Sequence, residues 1–292
     1  MSTCCPPGSL GPAPLSERTP LGNLVTWQAL TEGSNRPDLS CYQVGGKNVI
    51  KRVIVVFTDV YGLESGNHKV FCDVLQACLG EETLVCCPDL FRGRPLMRQY
   101  GLADGLNFAL GGGLSMLWGF QTRCSAIHMD ADLADIIEPN VRVTGCDVCG
   151  VVGFCFGGWI VARSLGLHGG QCIFRAGVGI HPAFKIEPLV RGGTSAMALG
   201  ERTGTKPILL LPAKQDHDVK ASNPVIQDMA KRRGTTPDKI SIEFPDMPHG
   251  WVARGDFLGP QYKQAQEEAI DLTVKFIQEH LQTSNQVTVP YH

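Results

Sequence analysis

The chain has 292 residues, 43% of them apolar and 18% charged, with mean hydropathy near zero. That composition belongs to a folded globular protein and excludes a disordered or fibrous one. A net charge of -2, with no Lys/Arg stripe interleaved with aromatics, leaves nothing to neutralise phosphates, so nucleic acid is not an expected partner.

Residues 1–20 (MSTCCPPGSL GPAPLSERTP) read as a flexible Pro-rich leader. They lack the charged and apolar regions of a secretory signal, and no stretch is long enough to span a bilayer. A soluble, cytoplasmic protein with no membrane partner is therefore expected. The twelve cysteines fit free thiols better than a disulfide scaffold, which belongs to short secreted chains. Cys4 and Cys5 are the lipidation candidates, although position 2 is Ser, which excludes myristoylation.

Residues 23–30 and 40–45 read as short strands separated by the polar turn SNRPD. RVIVVF (52–57) is a continuous apolar, β-branched run of the kind found in a strand covered on both faces, and a helix is expected over 68–79. TLVCCP (83–88) is the next strand. A Gly-rich segment near 111–119 is expected to be a mobile insertion. Apolar positions recurring every three or four residues predict a helix over 124–139. Strands at 147–154, 172–180, 206–213 and 240–244 then alternate with helices at 156–167, 224–231 and 261–281.

This order predicts an α/β fold with a mostly parallel central sheet and helices on both faces. Residues 21–285 read as one domain and 286–292 as a tail. Functional groups should gather at the carboxyl ends of the strands.

One such end is Gly153-Phe154-Cys155-Phe156-Gly157. The spacing is that of a nucleophile elbow, where a strand turns sharply into a helix. Glycine is needed on both sides because a Cβ would collide with the neighbouring strand or helix. Cys155 would then project at a helix N-terminus, whose positive dipole favours thiolate.

A nucleophile needs a base and a group to orient that base, in the chain order nucleophile, acid, histidine on this type of fold. Asp216, in KQDHDV, and His249, in PDMPHGW, both lie just past strand ends. Asp218 is the alternative acid. His181, in GIHPAF, rivals His249 and reads as a buried or pocket-lining residue. The oxyanion of an acyl transfer would be met by the backbone N–H of Phe156 and of Val60, in the loop after the first parallel strand.

In that order the elbow, QDHDV and PHGWVARG, together with CCPDLFRGRP and GVGIHP, resemble the dienelactone hydrolase family of α/β-hydrolases, over about residues 30 to 282. The resemblance implies a Cys155, Asp216, His249 triad that hydrolyses a small ester or lactone through an acyl-thioester. It implies no metal and no organic cofactor. In bacterial members a glutamate after the early strand restrains the resting thiol, and Asp59 stands there, one methylene shorter. Arginines hold the substrate carboxylate in that family; Arg254, and either Arg92 or Arg94, match them. A guanidinium suits the task because its fork binds both oxygens.

Two other readings compete. Trp159, Trp251 and the region of Trp118 would shape a wider apolar pocket for a thioesterase or carboxylesterase of a larger acyl group, and a non-catalytic hydrolase fold would serve only in binding. Cys146-Asp147-Val148-Cys149 has C-x-x-C spacing, but it leads into a buried strand rather than capping a helix, and no second pair completes a zinc site.

Overall fold

The computed structural model describes residues 9–10, 18–46, 49–97, 113–254 and 259–282, with backbone only at 113–116. Most of the expected leader, the start of the Gly-rich segment and the whole 286–292 tail lie outside the described residues.

Seven strands form one sheet in the order β1-β2-β4-β3-β5-β6-β7. β1 (Asn23–Trp27) pairs antiparallel with β2 (Leu39–Gly45), and β2 pairs antiparallel with β4 (Thr83–Pro88). From β4 onward all pairing is parallel, through β3 (Arg52–Phe57), β5 (Cys149–Phe154), β6 (Phe174–Ile180) and β7 (Ile208–Leu211).

The helices in chain order are α1 (His68–Leu79), α2 (Gly113–Gln121), α3 (Ala126–Asp132), α4 (Glu138–Arg142) and α5 (Phe156–Leu165). They continue with α6 (Ala196–Arg202), α7 (Pro224–Arg232), α8 (Pro237–Ile240), α9 (Trp251–Arg254) and α10 (Pro260–His280). None of the described helices is long and apolar enough to cross a membrane.

The continuous apolar run of β3 has its reason in the two layers. Val53, Val55 and Phe57 enter the core beneath α3–α5, while Ile54 and Val56 enter the core beneath α1 and α10. A central parallel strand is covered on both faces, so both sets of alternating side chains must be apolar.

Some expectations are corrected. Residues 240–244 do not form a strand but make two isolated bridges, Leu210 to Ser241 and Ala213 to Phe244. Ile242 and Phe244 donate to the carbonyls of Leu210 and Pro212, but Pro212 has no N–H to return, so the ladder breaks. The segment from Gly113 is a helix rather than a mobile insertion. Its Phe120 is fully buried and stacks on Phe156 at 6.1 Å, and a Cβ on Gly119 would lie 2.2 Å from Leu96. The helix expected over 124–139 begins at Ala126, capped by Ser125, and runs through a π-helical turn at Leu133–Ile137 into α4. Within the leader, Leu10 is held in place: its N–H donates to the His249 carbonyl at 2.9 Å.

Candidate active site

The parallel strands end on one rim: Asp59, Cys155, His181 and Asp216 follow the ends of β3, β5, β6 and β7, and His249 follows the bridged residue Phe244. Cys155 directly follows β5 and stands at the N-cap of α5 with φ 52° and ψ -109°, a conformation that side chains with a Cβ rarely adopt. The elbow exists because two glycines permit it. A Cβ on Gly153 would fall 2.1 Å from the Gly157 carbonyl oxygen, and one on Gly157 would fall 2.2 Å from that of Phe57. The Cys155 carbonyl accepts from Gly158 at 3.0 Å and from Ala183 at 3.1 Å, which ties the turn to the loop after β6.

Asp216 and His249 meet. His249 Nδ1 lies 2.7 Å from Asp216 Oδ1, with both side chains buried. The other carboxylate oxygen of Asp216 accepts from the Ala213 N–H at 2.9 Å, so the acid is fixed from both sides. Burial pushes the Asp216 carboxyl up, but the attraction of His249 and these hydrogen bonds outweigh burial and hold it below the usual carboxylate value. Asp218 does not share this role. Its carboxylate accepts from the Lys185 N–H at 2.8 Å, and burial raises it.

His181, at φ 40°, is fully buried with its ring 4.6 Å from that of His249 and 5.4 Å from that of Trp251. Among the described residues neither of its ring nitrogens has a hydrogen-bond partner. Burial above all, then the neighbouring His249, holds its pKa well below the ordinary histidine value, so the ring is neutral. Trp251 is fully buried and packs on Phe244 at 5.0 Å.

After β3, Asp59 forms a buried ion pair with Arg254 at 2.6 Å and stands 3.5 Å from His68 Nε2. Its Oδ1 accepts from the Tyr61 N–H at 2.9 Å, so it also caps the turn. Burial pushes this carboxyl up, yet Arg254 and His68 more than offset it and keep it ionised. The Arg254 guanidinium lies 4.7 Å over the Tyr61 ring. Val60, between Asp59 and Tyr61, is fully buried. Phe156 opens α5, and the first N–H groups of a helix have no partner within it.

Arg92 and Arg94 are not gathered with these groups. Arg92 donates to both oxygens of Asp132 at 3.0 and 2.9 Å, a buried carboxylate that Arg36 also grips at 2.5 Å. Arg94 is exposed, and its carbonyl accepts from Arg123. The three tryptophans do not line one surface: Trp159 and Trp251 are fully buried and Trp118 is 72% exposed.

Sequence reasoning missed the support under the elbow helix. The Trp159 indole donates to Glu187 at 2.5 Å, and Arg163, itself buried, bridges Glu187 at 2.9 Å and Asp130 at 2.7 Å. It also missed His68 against Asp59. Neither had a local signal, because each partner comes from a distant part of the chain.

Comparison with known proteins bears on the family and the fold. Residues 39–281 match the dienelactone hydrolase family. The hydrolase pyvD of Aspergillus violaceofuscus is 26% identical over 289 residues, covering 96% of this chain and 97% of its own. Among solved structures, the Pyrococcus horikoshii acylaminoacyl peptidase superposes with a TM-score of 0.57 at 13% identity, over 91% of this chain and 42% of that one. The Pyrobaculum calidifontis esterase superposes with a TM-score of 0.50 at 14% identity, over 88% and 84%. Both likenesses are of α/β fold alone; this chain spans less than half of the peptidase. By the family match over most of its length, the chain belongs to the dienelactone hydrolase family and is a carboxylic ester hydrolase.

Proposed function

We propose that Cys155 is the nucleophile of a small-ester or lactone hydrolase and that Asp216 and His249 complete its triad. The observation that carries this reading is the elbow cysteine at φ 52° after β5 together with the 2.7 Å Asp216–His249 pair, Asp216 coming after β7 and His249 after the bridged residue Phe244. The α5 dipole favours the Cys155 thiolate. Asp216 holds Nδ1 of His249, so proton traffic runs through Nε2.

His249 Nε2 takes the Cys155 thiol proton; the thiolate then attacks the ester carbonyl carbon, a C–S bond forms, and the electron pair of the carbonyl moves to its oxygen. The N–H groups of Phe156 and Val60 receive that oxyanion. Collapse breaks the C–O bond, and the leaving alkoxide takes a proton from His249. Water, deprotonated by His249, then attacks the thioester and releases the acid and the thiolate.

Arg254 is the proposed carboxylate anchor of the substrate. Its pairing with Asp59 means that an arriving carboxylate has to share or replace that partner, which is where Asp59 bears on the site. His181 and Trp251 are proposed to wall the site beside His249. Residues 21–285 form the proposed domain. A cytoplasmic setting is part of the proposal: the described cysteines are free thiols, the state a reducing compartment maintains.

The test is hydrolysis of p-nitrophenyl acetate by the full chain and by Cys155→Ala. Loss of about 10³-fold or more in the variant, with unchanged thermal unfolding, is the expected result. Retained turnover would remove Cys155 from the mechanism.

A further inference from the structure

β5 begins at Cys149 and ends beside Cys155, and a strand of six residues spans roughly 20 Å. The C-x-x-C pair therefore occupies the end of the sheet away from the ester site. There Cys146 lines a surface cavity of about 400 Å³ together with Arg142, Asp147, Cys172 and Arg175. Cys149, three residues further on, is fully buried, and its Sγ donates to the Cys146 carbonyl at 3.2 Å, so the C-x-x-C segment folds its second thiol back against the first residue.

The cavity also has a charge. Arg175 is exposed, and Arg142, although paired with Glu138 at 2.5 Å, keeps 58% of its side chain in solvent. Asp147 is the acid on the wall. Lys206 stands just behind, its Nζ 2.8 Å from the Cys172 sulfur, while the Cys172 thiol donates to the Ser164 carbonyl at 2.9 Å. Cys172 is thus held on both sides at 2.8 and 2.9 Å, whereas Cys146, 8% exposed, makes only a long 3.6 Å contact to the Val148 carbonyl and lines the cavity.

We propose that Cys146 and Cys149 form a thiol–disulfide exchange site that takes a small carboxylate-bearing disulfide, its carboxylates held by Arg142 and Arg175. The Cys146 thiolate attacks one sulfur of the incoming disulfide; a mixed disulfide forms and one small thiolate leaves. Cys149 then gives up its proton and attacks the Cys146 sulfur, the Cys146–Cys149 bond forms, and the second small thiol departs. Two protein thiols are oxidised and one disulfide is reduced to two thiols. The order of attack follows the environment. The hydrogen bond from Cys149 holds the Cys146 thiol below the ordinary cysteine value, and the same contact together with burial raises Cys149.

The experiment treats the reduced full chain with oxidised glutathione, quenches with acid and maps the peptides by mass. The peptide holding both cysteines should lose two hydrogens in the wild type. In Cys149→Ala the reaction should stop with one glutathionyl group on Cys146, and in Cys146→Ala the peptide should stay reduced. Cystamine, whose ends are ammonium groups, should react more slowly, and the Arg142→Ala/Arg175→Ala double variant should erase that difference. Hydrolysis of p-nitrophenyl acetate by each variant reports folding, because neither thiol belongs to the ester site. A Cys146–Cys172 bridge, an unmodified Cys146 in folded Cys149→Ala, or equal rates for the two disulfides would overturn the proposal. The mass readout does not depend on ester hydrolysis, so its failure is distinct from failure of the Cys155 reading.

Discussion

His181 has an enclosed ring, a positive φ and a pKa held down by burial, and together these make it a pH-dependent cost. An unfolded histidine takes a proton near pH 6.5, and the folded one refuses it. Its contribution to stability is therefore present above about pH 6.5 and lost as pH falls toward the depressed folded value, by about 1.4 kcal/mol per pH unit. Urea unfolding between pH 7.5 and 5.5 should show that decline, and His181→Asn, which tolerates positive φ, should flatten it. Equal slopes for the two proteins would show that the ring does not titrate this way. Asp216→Asn is a different kind of change, keeping shape but inverting the hydrogen bond to His249. Ester hydrolysis should fall about 10⁴-fold in that variant, as expected of a base held in the wrong tautomer.

The β5–α5 elbow is the element on which the site rests, and its tolerance for added atoms is small. In Gly157→Ala the new Cβ would meet the Phe57 carbonyl oxygen at 2.2 Å, so β3 and α5 must separate. A destabilisation of about 1–3 kcal/mol is expected by urea unfolding, with ester hydrolysis lost because the turn and the Phe156 N–H shift together. The same helix is anchored by the Trp159–Glu187–Arg163 cluster. Glu187→Ala would leave the Arg163 guanidinium, only 3% exposed, without its innermost partner. Losing one side of a buried pair costs about 3–5 kcal/mol. Asp130, which also holds Arg163, sets the lower end of that range as the expectation.

At the scale of the whole molecule, Asp59 joins the end of β3 to α1 through His68 and to α9 through Arg254. Although burial opposes ionisation, the Arg254 charge and the contact with His68 depress its folded pKa. Its stabilising contribution is therefore complete above the unfolded value of about 4 and is lost as pH falls below it. Acid unfolding followed by circular dichroism should lose part of its steepness below about pH 4 in Asp59→Asn. An unchanged acid limb would mean that the pair contributes nothing net.

The sequence by itself determined the alternation of strands and helices and the geometry of the elbow. Both are written among near neighbours: a strand covered on two faces has to be continuously apolar, and a sharp strand-to-helix turn has to carry glycines. It also carried, in the spacing of its motifs, the likeness to the family to which the chain belongs. The tertiary structure decided which charged groups meet. Asp216 meets His249, whereas Asp218 accepts from the Lys185 N–H. Arg92 turns to Asp132, 40 residues away, and Leu10 reaches the His249 carbonyl from the leader. The failure of 240–244 as a strand lies in Pro212, just past the end of β7, not in its own residues. Periodicity and turn sterics act over a few residues, whereas pairing of charges and completion of a sheet edge depend on segments brought together only by folding.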